Sequence, residues 1–426
     1  MTNEDLGMGE ISTEGLFGQA LWIRDPWYIT EVVFSEEENR LDIYIDFKRW
    51  SVFSYEGEWE YKAYDTKRKT WRHLNFFQHE CYLHARVPRI DVDGSKRLVT
   101  VPWWGVSLWF TLLMESYIFT LSQNIPVSVV ARMIGEKNDD RLWSILYKYI
   151  NLAREEEDYS EVKVIWEDET SQKRGHNYIS LFVDLEKKKL LYVTEGKGNT
   201  TVKDFVEDLE LRWGKKENIT QASIDMSPAF IKWVTENLPN AEIVFDRFHI
   251  TKIINQAVDK TRRQEVIENP ILKKARYALL KNEENLTEKQ KEKLQEIYTY
   301  CKLEKIGLKT LKAKAIRESF QNIYKAQTEK EFIFLLKKWY FWATHSKIEP
   351  IIQAAKTIKK HWNGILSWIK YKINNGILEW LNSVIQASKR KARGYRTFKN
   401  FQTIAYLTIG KLKFKNFHKS NPPTHS

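Results

Sequence analysis

Two aspartates stand where short apolar runs stop: Ala222 to Ile224 ends at Asp225, and Ile243 to Phe245 ends at Asp246. A third acid, Asp168, closes an earlier run in the stretch Trp166-Glu167-Asp168-Glu169, and Glu379 sits far downstream with Asn382 on one face of a helical segment. Asp168, Asp225 and Glu379 together would make an all-oxygen site. Such a site suits hard divalent ions, Mg²⁺ or Mn²⁺, which keep water and substrate phosphate oxygens in their shell. Two ions about 3.5–4 Å apart can activate a nucleophile and stabilise the leaving oxygen in an in-line phosphoryl displacement. The nucleophile would be water in strand cleavage and a 3′-hydroxyl in strand transfer. That chemistry calls for acids and not histidines.

Each acid also has a plainer reading. Glu167 and Glu169 flank Asp168, and alternation turns both to the opposite face, but spacing alone does not choose among the three. Asp225 could be a turn or cap residue. Asp246 reads as the cap of the following helix. Glu379 is one acid in a basic region and could be an ion-pair partner. His249, in the stretch DRFH, reads as structural.

The elements that must position these residues follow from the pattern. Ser227 is a candidate N-cap, and Pro228 falls at the first helical position, where a missing N–H costs nothing. Residues 222–249 are thus strand, helix, strand, with Asp225 and Asp246 at the strand ends. Upstream, VKVIWE, NYISLFVDL and KLLYVTEG are strand candidates, with Gly175-His176 as the turn after the first. The order β-β-β-α-β-α-β predicts an α/β sheet of ribonuclease-H-like type, in which the first and fourth strands lie side by side. Residues 159–249 form its first part, 250–375 an all-α insertion, 376–410 the final helix of the core with Glu379 and a basic segment, and 411–426 a basic tail. Ahead of the core, 1–106 reads as a small β-rich module with an Asp93-Gly94 hairpin turn, its aromatics expected in the core. Residues 107–158 read as three short helices, helix-turn-helix-like.

Charge points to the partner. Net charge is +12 over 426 residues, but residues 301–426 hold 26 Lys+Arg against 6 Asp+Glu, so the first 300 are net acidic. This asymmetry implies a polyanion, most simply double-stranded DNA. Candidate contacts are Arg141, Lys148 and Arg154 on the third short helix, Arg262 and Arg263, and the run Lys389, Arg390, Lys391, Arg393 and Arg396. Two cysteines exclude a disulfide scaffold and a cysteine-rich zinc site. The N-terminus lacks a signal-peptide pattern, and no apolar run approaches a membrane span, so a soluble cytoplasmic protein without membrane partners is expected.

Several blocks then resemble one family in the right order. They are KTWRHLNFF (69–77), ARVPRI (85–90), VPWWG (101–105), DETSQKRGHNY (168–178), DMSPAF (225–230), AEIVFDRFHI (241–250), QAVDKTRR (256–263), ILEWLNSVIQ (377–386) and KRKARGYRTFKNF (389–401). They resemble the DDE transposases of bacterial insertion sequences, of the ISL-three type. The resemblance implies Asp168, Asp225 and Glu379 as catalytic acids and ligands of two metal ions. It implies a ribonuclease-H-like core, a helical insertion and an N-terminal region binding the DNA ends. It also implies terminal inverted repeats and target DNA as partners, a homodimer, and a nucleoid-associated site of action. Members usually carry a cysteine-rich zinc segment; here SYEGEWEYKAYD and PRIDVDGSKR have no Cys pair, so zinc is not expected. Trp380 replaces a usual small residue after the glutamate, and VPWWG departs from a PWAR-like form. Two alternatives remain: a catalytically inactive DNA-binding regulator derived from a transposase, and a metal-dependent nuclease without strand transfer.

Overall fold

The computed structural model describes residues 12–55, 59–171, 178–196, 199–371, 375–391 and 395–414. The protein has mixed α/β content with a β-rich N-terminal region, and its contacts divide it into two compact units: 1–155 with 412–426, and 156–411.

The first unit opens with α1 (Thr13–Ala20), β1 (Trp27–Ser35), β2 (Arg40–Phe47), β3 (Val52–Tyr55), β4 (Trp59–Lys62), β5 (Asp65–Phe76), β6 (His79–Val92) and β7 (Ser95–Leu98). The main sheet runs β1-β2-β6-β5, with β7 on the end of β6; β3 and β4 form their own hairpin. Alternation decides the faces. Leu41, Ile43 and Ile45 of β2 point inward with Leu83, Ala85 and Val87 of β6. Asp93 (φ 51°) and Gly94 (φ 80°) make the two-residue turn between β6 and β7, the left-handed pair that the twist of a hairpin requires. Aromatic packing builds the core: the Trp103 ring lies edge-on to Trp27 at 5.3 Å and to Trp71 at 6.0 Å. The expectation that the module's aromatics are interior is met by Trp71 and corrected elsewhere. Trp59, on the separate hairpin, and Phe77, in the left-handed position of the β5–β6 turn, are 69% and 82% exposed. Tyr64 and Phe76 are exposed as well.

Three helices follow, α2 (Leu112–Ser122), α3 (Val127–Met133) and α4 (Asp140–Glu155). Gly135, at φ 78°, ends the α3 segment as a left-handed C-terminal glycine should. Glu115 of α2 is fully buried, and its carboxylate accepts the N–H groups of Val106 and Ser107 and the Tyr149 hydroxyl of α4. Phe119 of α2 is capped by Phe414, whose ring lies edge-on at 4.4 Å.

The second unit starts with β8 (Val164–Ser171), β9 (Tyr178–Asp184), β10 (Lys189–Glu195), α5 (Asn199–Leu211), β11 (Gln221–Ile224), α6 (Pro228–Asn237) and β12 (Glu242–Phe245). Its sheet order is β10-β9-β8-β11-β12. The first three strands are antiparallel, and β11 runs parallel to both β8 and β12. The first and fourth strands are therefore neighbours. β8 is longer than the apolar run predicts: its pairing with β9 continues from Glu167↔Phe182 to Ser171↔Tyr178, so Asp168 lies inside the strand. Residues 172–177, with the predicted Gly175-His176 turn, lie outside the described residues.

Then come α7 (Arg247–Glu265), α8 (Arg276–Leu280), α9 (Glu288–Leu303), α10 (Lys309–Ile323), α11 (Glu329–Thr344), α12 (Glu349–Lys360), α13 (Trp362–Tyr371), α14 (Asn375–Lys391) and α15 (Phe398–Ile409). Helices α7 and α10–α13 share one continuous core with the sheet, through residues such as Ile254, Phe320, Trp339 and Ile365, while Leu272, Leu279 and Ile297 form a satellite core under α8 and α9. Helix α15 is distinct from α14 and packs against β10, with Gln402 donating to the Val193 carbonyl at 3.1 Å. Its start is set by Thr397, which accepts the Asn400 N–H at 3.2 Å.

Candidate active site

The register of three strands builds the site. Gln221, Ala222 and Ser223 of β11 pair with Val164, Ile165 and Trp166 of β8. Continuing that parallel register two places sets Asp225 level with Asp168. On the other side Ile224 pairs with Phe245, so one further place adds Asp246 to the row. With neighbouring strands about 4.8 Å apart, that continuation would bring the three aspartates side by side at the carboxyl end of β11 and β12. Within the acidic run the faces separate as alternation requires: Glu167 is buried, and Asp168 is partly exposed. The Glu169 side chain lies outside what the structure describes.

Asp225 and Asp246 are held differently. Asp225 Oδ1 accepts the Ser227 N–H at 2.7 Å, which shapes the turn into α6; Ser227 itself makes no side-chain cap. Among the described residues Asp225 Oδ2 takes no hydrogen bond. Asp246 is the N-cap of α7: it is 8% exposed and its Oδ1 accepts the Phe248 N–H at 2.8 Å. His249 Nε2 stands 4.0 Å from Asp246 Oδ2.

Glu379 lies on α14, and its side chain is outside what the structure describes. Further along the same helix, Lys389 feels the negative charge of Asp168. Lys389 is half-buried, with its Nζ 5.0 Å from the centre of the Phe401 ring. Burial pushes its ammonium down to about 8, and the negative charge of Asp168 opposes that fall. Glu379 stands ten residues earlier, about 15 Å along the helix axis. Trp380, beside it, is 45% exposed. Among the described residues no three His, Cys, Asp or Glu side chains converge as a metal-holding group. The chemistry of Asp168 and Asp225 nonetheless suits a hard divalent ion: both are carboxylates on adjacent strands, and Asp225 accepts only the Ser227 N–H among the described residues.

The predicted DNA contacts sort by exposure. Arg141 is half-exposed, 3.4 Å from Glu136 and over the Trp109 ring. Lys148 reaches the Val106 carbonyl at 2.9 Å from an exposed position. Arg154 is buried at 7%, so its guanidinium is not offered to solvent. Arg262 and Arg263 both pair with Asp259, each at 2.9 Å, and Arg276 adds a third cation at 3.6 Å. Asp259 is buried, which alone would raise its carboxyl; the hydrogen bond from Arg262 and the charges of all three arginines hold it below its usual value instead. This tie of α7 to α8 is missed when the two arginines are read only as phosphate contacts, although the i, i+3 and i, i+4 spacing of Asp259 to them is its signal. Arg390 and Arg396 are exposed; the Lys391 side chain and Arg393 lie outside the described residues.

The site residues thus sit on a mixed five-stranded sheet and on α14, one of the helices that follow it. A family model described as a transposase, of the ISL-three DDE type, matches residues 165–405. A transposase for insertion sequence element IS1001 from Bordetella parapertussis is 26% identical over 345 residues, covering 79% of this chain and 83% of that protein. A transposase for insertion sequence element IS1557 from Mycobacterium tuberculosis (strain CDC 1551 / Oshkosh) is 26% identical over 377 residues, covering 80% of this chain and 81% of that protein. The family match spans more than half of the chain, which belongs to the ISL-three-type DDE transposase family. Among the described residues no helix is long and apolar enough to cross a membrane.

Proposed function

We propose that this protein cuts and joins the ends of an insertion sequence by metal-dependent phosphoryl transfer. The observation that carries the reading is that β11 runs parallel beside β8, from Gln221↔Val164 to Ser223↔Trp166, a register that continued two places would bring Asp225 level with Asp168. In this reading 159–249 with 376–410 is a ribonuclease-H-like core, 250–375 its helical insertion, and Glu379 the third acid. Asp168, Asp225 and Glu379 would hold two Mg²⁺ or Mn²⁺ ions, which when bound supply charge neutralisation at the scissile phosphate and acidify the attacking hydroxyl. Asp225 keeps one oxygen free for this while its Ser227 contact fixes the other. Lys389, which feels the charge of Asp168, and the exposed Arg390 and Arg396 would lend positive charge to a bound phosphodiester backbone. The β-rich module at 1–106 and the helix-turn-helix-like segment at 107–158 would bind the terminal repeats, with Arg141 and Lys148 facing DNA, and two copies would hold two ends.

The test is Asp225→Asn with Mg²⁺ and DNA carrying terminal repeats. Binding is expected to persist, while nicking and joining disappear. Cleavage by that variant overturns the assignment. Cleavage without joined products by the unaltered protein reduces the reading to a nuclease. Binding with no cleavage reduces it to a DNA-binding regulator.

A further inference from the structure

The free edge of the second sheet carries a cleft of about 460 Å³. One wall is β12, from Glu242 to Phe245; the other is the corner between α12 and α13, where Lys359, Lys360 and His361 come together. The walls are held in place. A Cβ on Gly364 would sit 2.4 Å from the Phe245 ring, so α13 packs on β12 as closely as glycine permits. His361 lies edge-on to Phe245 at 5.1 Å, and Ser367 Oγ donates to Glu242 Oε1 at 2.8 Å.

The two ends of the cleft differ in charge. Glu242, at the start of β12, is engaged by Ser367. At the Phe245 end stand the cations. The Lys359 ammonium lies 4.1 Å from the centre of the Trp362 ring and 5.7 Å from that of Tyr340. Among the described residues neither Lys359 nor Lys360 forms an ion pair with a carboxylate. Burial lowers the affinity of His361 for a proton, and Lys360 lowers it further, so the imidazole is a neutral partner beside two charged ones. Phe245 pairs with Ile224 and immediately precedes Asp246, as Ile224 precedes Asp225, so the cleft ends close to the strand-end aspartates. Two strand spacings separate that end of the cleft from β8, roughly 10 Å.

We propose that this cleft is a phosphate-binding track, in which Lys359 and Lys360 hold the backbone of the DNA strand that crosses the sheet edge next to the strand-end aspartates. The inference rests on the transposase reading and adds a contact that neither the acids nor the basic C-terminal run supplies. Lysine ammonium groups bind phosphate as point charges and read no base, so the contact is independent of sequence.

The experiment uses the full chain, duplex DNA probes with and without terminal repeats, and the double variant Lys359→Gln/Lys360→Gln. The slope of log affinity against log salt concentration is expected to fall by about 1.8, from two phosphate contacts at about 0.9 each, and by the same amount on both probes. Lysine acetylation of the unaltered protein gives a second readout: Lys359 and Lys360 should be protected when either probe is bound. Affinity and salt slope unchanged in the variant, or both lysines acetylated equally with and without DNA, overturn the track. Failure of the unaltered protein to bind any DNA overturns the transposase reading itself, and the track with it.

Discussion

Asp225 and Asp246 follow Ile224 and Phe245, a paired couple on two parallel strands, yet they are committed to different tasks. Asp246 is buried and caps α7, while Asp225 is partly exposed and keeps an oxygen open. Replacing Asp246 with alanine should therefore act on stability, lowering it by about 1–2 kcal/mol through loss of the cap. Asp246→Asn can still cap and should cost much less. Urea denaturation of the two variants checks this, and a large loss of DNA cleavage in Asp246→Asn at unchanged stability would assign the residue to the chemistry instead.

The Asp259 cluster predicts an acid-sensitive joint. Its carboxyl is held below the usual range, so the stability it contributes is present above about pH 3.9, the unfolded value, and is lost as pH falls through the lower folded value. Asp259→Asn leaves Arg262 without its buried partner and should destabilise the second unit by about 3 kcal/mol at neutral pH. The expected reading is a lower urea midpoint at pH 7 and a flatter decline between pH 5 and pH 3, estimated from the linkage window.

His73 sets a second pH window, in the first unit. Its Nδ1 lies 2.8 Å from the Thr111 hydroxyl, and burial lowers its affinity for a proton to about 4. Unfolded, the same ring titrates near 6.5. Between those values the unfolded chain binds the extra proton, so stability is full above pH 6.5 and declines as pH drops towards 4. The decline is on the order of 1–3 kcal/mol. His73→Gln should remove this part of the acid limb, as followed by thermal unfolding across that range.

Gly105 predicts a steric failure. A Cβ there would fall 2.0 Å from Glu115 Oε2, inside the buried network that joins Val106, Ser107 and Tyr149. Gly105→Ala should cost about 2–3 kcal/mol, because it displaces a buried carboxylate from its donors. The double variant Gly105→Ala/Glu115→Ala should recover less than it loses, since the freed N–H groups and the Tyr149 hydroxyl would then be unsatisfied. Differential scanning calorimetry of the full chain separates the two cases.

Much of this arrangement is legible from residue types alone. Strand order, the adjacency of β8 and β11, and the cap role of Asp246 follow from where apolar runs stop and which residues follow them. Three features are not legible, each for a physical reason. β8 outruns its apolar residues because a hairpin partner, not hydrophobicity, extends it to Ser171. Trp59, Tyr64, Phe76 and Phe77 look like core aromatics, but exposure depends on which hairpin or turn carries them. Arg154 and Arg262 have the charge of phosphate contacts, and only tertiary packing shows that one is buried and the other bound to Asp259.

The Phe119–Phe414 contact has a consequence for biosynthesis. A chain leaving the ribosome folds its N-terminal parts first. Here the ring that covers one face of α2 is encoded after the whole second unit. Until translation passes it, the nascent first unit carries an uncovered aromatic spot. A premature stop just after the second unit would spare Asp168, Asp225 and Glu379 and still release a protein whose first unit lacks that cover.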